Sequence, residues 1–385
     1  MRNLKYSLRS LVFTAGIACL VFIAGCATAD SLQLTALTVE GRDTLLGSDI
    51  LKPRFAWKLQ SADRDLRQTA YHLLVSSTRE KLDNNEGDIW DTNKTDSDAS
   101  INIEYNGKPL NSYQSCFWKV KVTTSNGDEV WSKPSYWSVG LLDSTDWKAK
   151  WIGLDGFNEN DAPDSTFTRL SARYLRNEFP LAKKVESATA FISGMGLYEL
   201  YINGEKVGND VLAPTVSEYN KIIYYNTYDV TPLVQEGQNC AAVILGNGRY
   251  FGVRNYHGQP DPLTQIPQTH YGLPRLLLQI RVVYNDGSTE LISSNEQWKV
   301  TDQGAIVANN EFDGEEYDAT KELTGWNKTG YNDASWKPVN LMPPAAKQLA
   351  AQPNENIRIK EVLKPVKIIK TSRGTHILDM GQNMV

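Results

Sequence analysis

The densest cluster of side chains able to do chemistry is Glu311-Phe312-Asp313-Gly314-Glu315-Glu316-Tyr317-Asp318. Carboxylates accept hydrogen bonds from hydroxyls, and a tyrosine both donates and accepts them, so the set suits a sugar. The same oxygens suit Ca²⁺, a hard cation that takes oxygen ligands. Glycoside hydrolysis also needs two carboxylates, about 5 to 9.5 Å apart, and a sequence does not set that distance. The plain alternative is a solvated turn that docks on a neighbouring domain. Asp313, Glu316, Tyr317 and Asp318 are the candidate ligand residues here. A second candidate is the stretch from Asn247 to Leu273, a long loop rich in Gly, Pro, His and Tyr. Loops of that length are usually functional or disordered. Arg249, Asn255 and His257 offer hydrogen-bonding groups, and Tyr250 and Tyr256 offer aromatic faces. Together the two loops could hold one monosaccharide at millimolar affinity, about −4 kcal/mol. The competing reading is that both dock on another domain and bind nothing alone.

Other chemistries lack their residues. Gly246-Asn247-Gly248-Arg249-Tyr250-Phe251-Gly252 follows a strand pattern, but no helix pattern follows it, so it reads as a tight strand exit rather than a phosphate cradle. His72, His257, His270 and His376 are scattered, and no HxxxH or CxxC spacing occurs, which argues against zinc. Ile192-Ser193-Gly194 is not a nucleophile elbow. The net charge is −5 and the Lys and Arg are dispersed, so nucleic acid is not an expected partner. No cofactor is implied beyond Ca²⁺, and no catalytic residue is assigned.

The elements that would position these loops are β-strands. The 385 residues are 41% hydrophobic and 22% charged, enough to fill cores, and 10% are aromatic. With 27 Gly and 16 Pro, the mix favours short strands and turns over long helices. Residues 31–142 read as an Ig-like or fibronectin-type sandwich, with alternation in Ala70–Val75 and Phe117–Val122. In the second run Phe117, Lys119 and Lys121 face one way and Trp118, Val120 and Val122 the other. One short helix is expected near Thr78 to Leu82. Trp57, Trp90, Trp118, Trp131 and Trp137 fill the core of this sandwich or form a sugar platform, with core the favoured reading. Residues 143–165 read as a polar, turn-rich linker between independently folded modules. Residues 166–345 read as a second sandwich, with strands at Ala188–Ile192, Tyr198–Ile202, Ile222–Tyr228, Ala241–Leu245, Leu276–Tyr284, Thr289–Ser293 and Trp298–Thr301. Asn203-Gly204 and Asn285-Asp286-Gly287 are its hairpin turns. Residues 346–385 read as the start of a third β unit, too short to bury a core of its own.

Residues 1–25 read as a signal peptide: Arg2, Lys5 and Arg9 precede the apolar stretch Leu11 to Ala24. Ile23-Ala24-Gly25-Cys26 resembles a bacterial lipobox, so Cys26 is the expected lipidation site and residues 26–30 a tether. The expected location is exported and membrane-anchored, periplasmic or on the cell surface. Cys116 and Cys240 read as two buried free thiols, a disulfide being the alternative in an exported protein.

Several ordered motifs then point to a family. Ala172-Arg173-Tyr174-Leu175-Arg176-Asn177-Glu178-Phe179 is followed by Gly196-Leu197-Tyr198-Glu199-Leu200-Tyr201-Ile202-Asn203-Gly204, by Leu212-Ala213-Pro214, and by Tyr225-Asn226-Thr227-Tyr228-Asp229-Val230-Thr231. Leu245-Gly246-Asn247-Gly248, Asp313-Gly314-Glu315-Glu316-Tyr317-Asp318-Ala319 and Leu378-Asp379-Met380-Gly381-Gln382-Asn383 complete the series. Over residues 31–385 this order resembles the N-terminal half of bacterial α-L-rhamnosidases of glycoside hydrolase family 78. The resemblance implies a fibronectin-like domain, then a galactose-binding-like, jelly-roll-type sandwich, then the start of a concanavalin-like domain. It also implies a rhamnose-containing glycan as partner, and an (α/α)₆ barrel carrying the acid and base of an inverting hydrolysis. No residue here matches the barrel's catalytic motif, so the chain is expected to stop short of it and to be inactive alone. The family usually has Arg after the Asp-Ala of the acidic motif, where this chain has Thr320. A free-standing carbohydrate-binding or structural lipoprotein is the rival reading.

Overall fold

The computed structural model describes residues 32–159, 161, 169–252, 271–344 and 348–383. The signal peptide, Cys26 and the tether lie outside them.

The first module is a two-sheet sandwich. Gln33–Val39, Arg54–Gln60 and Ile103–Glu104 form a three-stranded sheet. Leu45–Ser48, Ser135–Val139, Ser115–Thr124, Gln68–Ser76 and Trp90–Asp91 form the opposing one. Alternation decides what lies between them. Trp118, Val120 and Val122 are fully buried, whereas Phe117 and Lys121 face outward. Lys119 also lies on the outer face, but its stem is covered by Trp131, 4.8 Å from Nζ to the ring centre. Trp57, Trp118 and Trp137 are core residues, with Phe55 edge-on to the last two. Trp90 and Trp131 are half-buried. The helix is Arg79–Asp83, capped by Thr78.

The second module packs a seven-stranded sheet on a six-stranded one. Val185–Met195 and Arg275–Tyr284 lead the first, and Gly237–Gly246 and Arg173–Leu181 lead the second. All the expected strands form. At the Asn203-Gly204 turn both residues have positive φ, 52° and 92°, the conformation a two-residue hairpin demands. Cys116 and Cys240 are unpaired and buried in different modules. Burial pushes their thiols up to about 12 and about 11.

One strand absent from the sequence reading and two corrections to that reading stand out. First, Arg173–Leu181 is an interior strand of its sheet, although its sequence is charged. Arg173 is fully buried against Asp161 and Ser171, and Arg176 is 2% exposed among Glu178, Asp333 and the carbonyls of Trp326 and Lys328. Second, the stretch read as a linker is built into the structure. Ile152–Gly153 is a strand between Arg275–Tyr284 and Asn340–Leu341. Third, Gln348–Ala351 does not open a third unit. It pairs in parallel with Ile222–Asp229 and so extends the second sandwich. The hairpin Lys367–Lys370 and His376–Asp379 forms a separate two-stranded sheet, with every residue of both strands exposed.

The two modules share a packed interface. Leu141, Phe191 and Tyr225 are buried together there, with Tyr113 and Trp147 against them. The Leu141 amide donates to the Tyr225 hydroxyl at 3.0 Å, and Gln279 donates to the Tyr113 hydroxyl at 2.8 Å.

Candidate functional site

The structure brings the two candidate loops together. The strand Gly237–Gly246 ends at Asn247, which is fully buried. Its backbone amide donates to Asn309 Oδ1 at 2.7 Å, and its side-chain amide donates to the carbonyls of Leu170 and Asn309 at 2.5 and 2.7 Å. Asn309 belongs to Ile306–Asn310, the first strand of a hairpin completed by Gly314–Tyr317. A Cβ at Gly246 would stand 2.8 Å from Asn309 Oδ1, and one at Gly252 2.6 Å from Asn310 Cβ, so the crossing needs glycine. The result sets Arg249 against the acidic turn, 3.5 Å from Glu311 and 5.7 Å from the centre of the Phe312 ring.

Each acidic candidate already has a protein partner. Asp313, at the hairpin tip, accepts from the Asn310 amide at 2.8 Å. Glu316 pairs with Arg169. Tyr317 is 54% exposed and donates its hydroxyl to Glu322, a bond that pushes the phenol up to about 12. Asp318 caps the turn Ala319–Lys321, accepting from the Thr320 amide at 3.0 Å and its hydroxyl at 2.6 Å. Those two bonds hold its carboxyl below the usual range. The strand Gly314–Tyr317 is exposed along its whole length, so these groups form a ridge rather than a cleft. Among the described residues no three His, Cys, Asp or Glu are placed to hold a metal ion.

Tyr250 is not a platform. It is 2% exposed, edge-on to Tyr219 at 5.1 Å and stacked on Tyr271 at 6.0 Å. Asn255, Tyr256 and His257 lie outside the described residues.

Sequence reasoning missed a buried polar cluster in the second sandwich. Asn226 donates to Gln352 and Asn356 at 3.1 and 3.0 Å and accepts from the Tyr198 hydroxyl at 2.7 Å. Asn356 and Arg358 both donate to Asp210, at 2.5 and 3.0 Å. This network straps residues 352–358 onto the sandwich. The bonds that tie residues 352–358 to the sandwich span 126 to 148 residues, so no local pattern signals them.

The fold thus defines an all-β tandem, an Ig-like sandwich joined to a jelly-roll-type sandwich. Residues 34–143 match the Rha78A-like, N-terminal immunoglobulin domain, and residues 183–361 match the α-L-rhamnosidase N-terminal domain. An α-L-rhamnosidase of Formosa agariphila is 35% identical over 370 residues, covering 92% of this chain and 38% of that protein. One from Alteromonas sp. is 33% identical over 383 residues, covering 97% and 40%. The solved α-L-rhamnosidase from Dictyoglumus thermophilum superposes with a TM-score of 0.80 at 36% identity, over 91% of this chain and 39% of that one. The Streptomyces avermitilis α-L-rhamnosidase, solved with L-rhamnose, gives 0.81 at 25% identity, over 92% and 49%. This chain belongs to the α-L-rhamnosidase family, glycoside hydrolase family 78, as its N-terminal region. It spans about two fifths of the length of the first curated relatives it matches.

Proposed function

We propose that the chain is the ancillary region of an exported α-L-rhamnosidase that removes terminal α-L-rhamnosyl residues from glycans, with hydrolysis carried out by a domain outside these 385 residues. The observation that carries this reading is the commitment of Asp313, Glu316 and Asp318 to Asn310, Arg169 and Thr320 along an exposed ridge. An inverting glycosidase instead holds an acid and a base on opposite faces of one sugar. In this reading the ridge, with Arg249 and Phe312 beside it, is the face that docks on the catalytic domain. Its mix of exposed charge and aromatic surface is that of an interface rim. Cys26 carries the lipid that holds the protein at the membrane. More than one acyl chain is needed there, because a single chain binds only marginally.

The purified chain assayed with an aryl α-L-rhamnoside should show no turnover. Turnover above background that disappears with Asp313→Ala or Glu316→Ala would overturn the assignment. Mass spectrometry of the mature N-terminus should find acylated Cys26, and an unmodified terminus beginning after Ala27 or Ala29 would remove the anchor.

A further inference from the structure

A cleft of about 160 Å³ lies where the outer faces of the two modules meet. One wall belongs to the second sandwich. Asp229, Thr189 and Arg281 are register partners on three adjacent strands, so they stand in one row with the threonine between the two charges. Neighbouring strands are about 4.8 Å apart, which puts the backbones of Asp229 and Arg281 nearly 10 Å apart. Among the described residues neither charge makes an ion pair. Arg281 instead lies over the Tyr113 ring, 5.3 Å from its centre. The facing wall belongs to the first sandwich: Ser115 and Ser138 are register partners, and the Ser115 and Tyr136 hydroxyls are 3.3 Å apart. Phe191, edge-on to Tyr113 at 5.5 Å, supplies an apolar floor.

We propose that this cleft binds one pyranose residue of a neutral glycan. A carboxylate and a guanidinium on one wall leave no net charge to select an ionic ligand. They supply acceptor and donor at a separation that a sugar's hydroxyls can bridge, while hydroxyls on both walls can donate or accept. The volume is that of a single six-membered ring, since a cavity of about 150 Å³ takes up one benzene. An oligosaccharide would need the several hundred Å³ of ordinary ligand pockets. The site needs both modules held in register, which the packed interface provides. It lies apart from the Arg249 ridge and stands or falls independently of the role proposed for that ridge.

The test is calorimetric titration of the full chain with methyl α-L-rhamnopyranoside and with methyl α-D-mannopyranoside. At least one should bind with a millimolar dissociation constant. Arg281→Met and Asp229→Asn should each weaken it tenfold or more. The asparagine keeps the acceptor that Asp229 Oδ1 offers the Thr231 amide, so the fold is spared. Ser115→Trp, on the exposed rim of the opposite wall, should block the cleft without touching either charge. Arg249→Ala should leave binding unchanged. No heat from either glycoside at 50 mM, or binding that all three cleft variants retain, would overturn the proposal. So would binding lost with Arg249→Ala, which would move the site to the ridge.

Discussion

Replacing Gly47 by alanine should pry the two modules apart. Gly47 has φ of +65°, a conformation that costs an L-residue about 1–2 kcal/mol. A Cβ there would also stand 1.9 Å from Thr227 Oγ1 and 2.5 Å from Thr227 Cβ, across the interface. Rotating the threonine moves Oγ1 but not its Cβ, so the backbones must separate. Overpacking of this kind costs about 1–3 kcal/mol, and the two effects together come to about 2–5 kcal/mol. Thr227→Gly removes every clashing atom, and Thr227 Oγ1 has no hydrogen-bond partner to lose among the described residues. The double variant should therefore be more stable than the two single losses sum to, a coupling that a mutant cycle reads directly. The assay is urea unfolding followed by tryptophan fluorescence, with trypsin cleavage in parallel. Lys148 and Lys150 are held by hydrogen bonds from Lys148 N to Gln279 at 2.7 Å and from Lys150 N to Ser294 at 2.8 Å. The parent should unfold in one transition with these lysines protected, and Gly47→Ala should expose them and split the transition. A parent cut at Lys148 or Lys150 while still folded, or a Gly47→Ala chain that unfolds with the parent, would refute the reasoning.

Arg176→Leu should destabilise the second sandwich by about 1–3 kcal/mol in urea, because it leaves Glu178 and the carbonyls of Trp326 and Lys328 without their buried donor and Asp333 with Lys299 alone. Burial raises the Asp88 carboxyl, but hydrogen bonds from Lys81 and Ser77 outweigh it and bring it down to about 2. A lowered folded-state value means the stabilisation is complete above the unfolded value near 3.9 and is lost as pH falls toward 2. Asp88→Asn should accordingly flatten the melting temperature between pH 4 and 2 and remove about 2 kcal/mol at neutral pH. Ending the chain after Lys360 removes exposed Ile368, Ile377 and Leu378, so dye binding to apolar surface should fall while the melting temperature holds. Ending it after Pro344 also removes the strand Gln348–Ala351 and the Asn356 and Arg358 strap, and the melting temperature should drop.

The sequence by itself determined what depends on neighbours a few residues away. Alternation in Phe117–Val122 assigned Trp118 and Val120 to the core, and Asn203-Gly204 marked a hairpin, because strand period and turn conformation are local properties. The two polar loops, Asn247 onward and Glu311 to Asp318, were also visible as breaks in strand pattern. What they could do was not visible. Asn247 reaches Asn309 across 62 residues, and Glu316 reaches Arg169 across 147, so whether a carboxylate is free for a ligand or spent on the fold depends on pairings that no window of sequence contains. The same holds for Arg173–Leu181, whose charges look like surface until Asp333 arrives from 157 residues away to make Arg176 affordable in a core. Gln348–Ala351 likewise reads as the start of something new until Ile222–Asp229 is seen to pair with it. Only the tertiary structure could decide these points, because burying a charge or adding a strand is favourable only when a distant partner satisfies it.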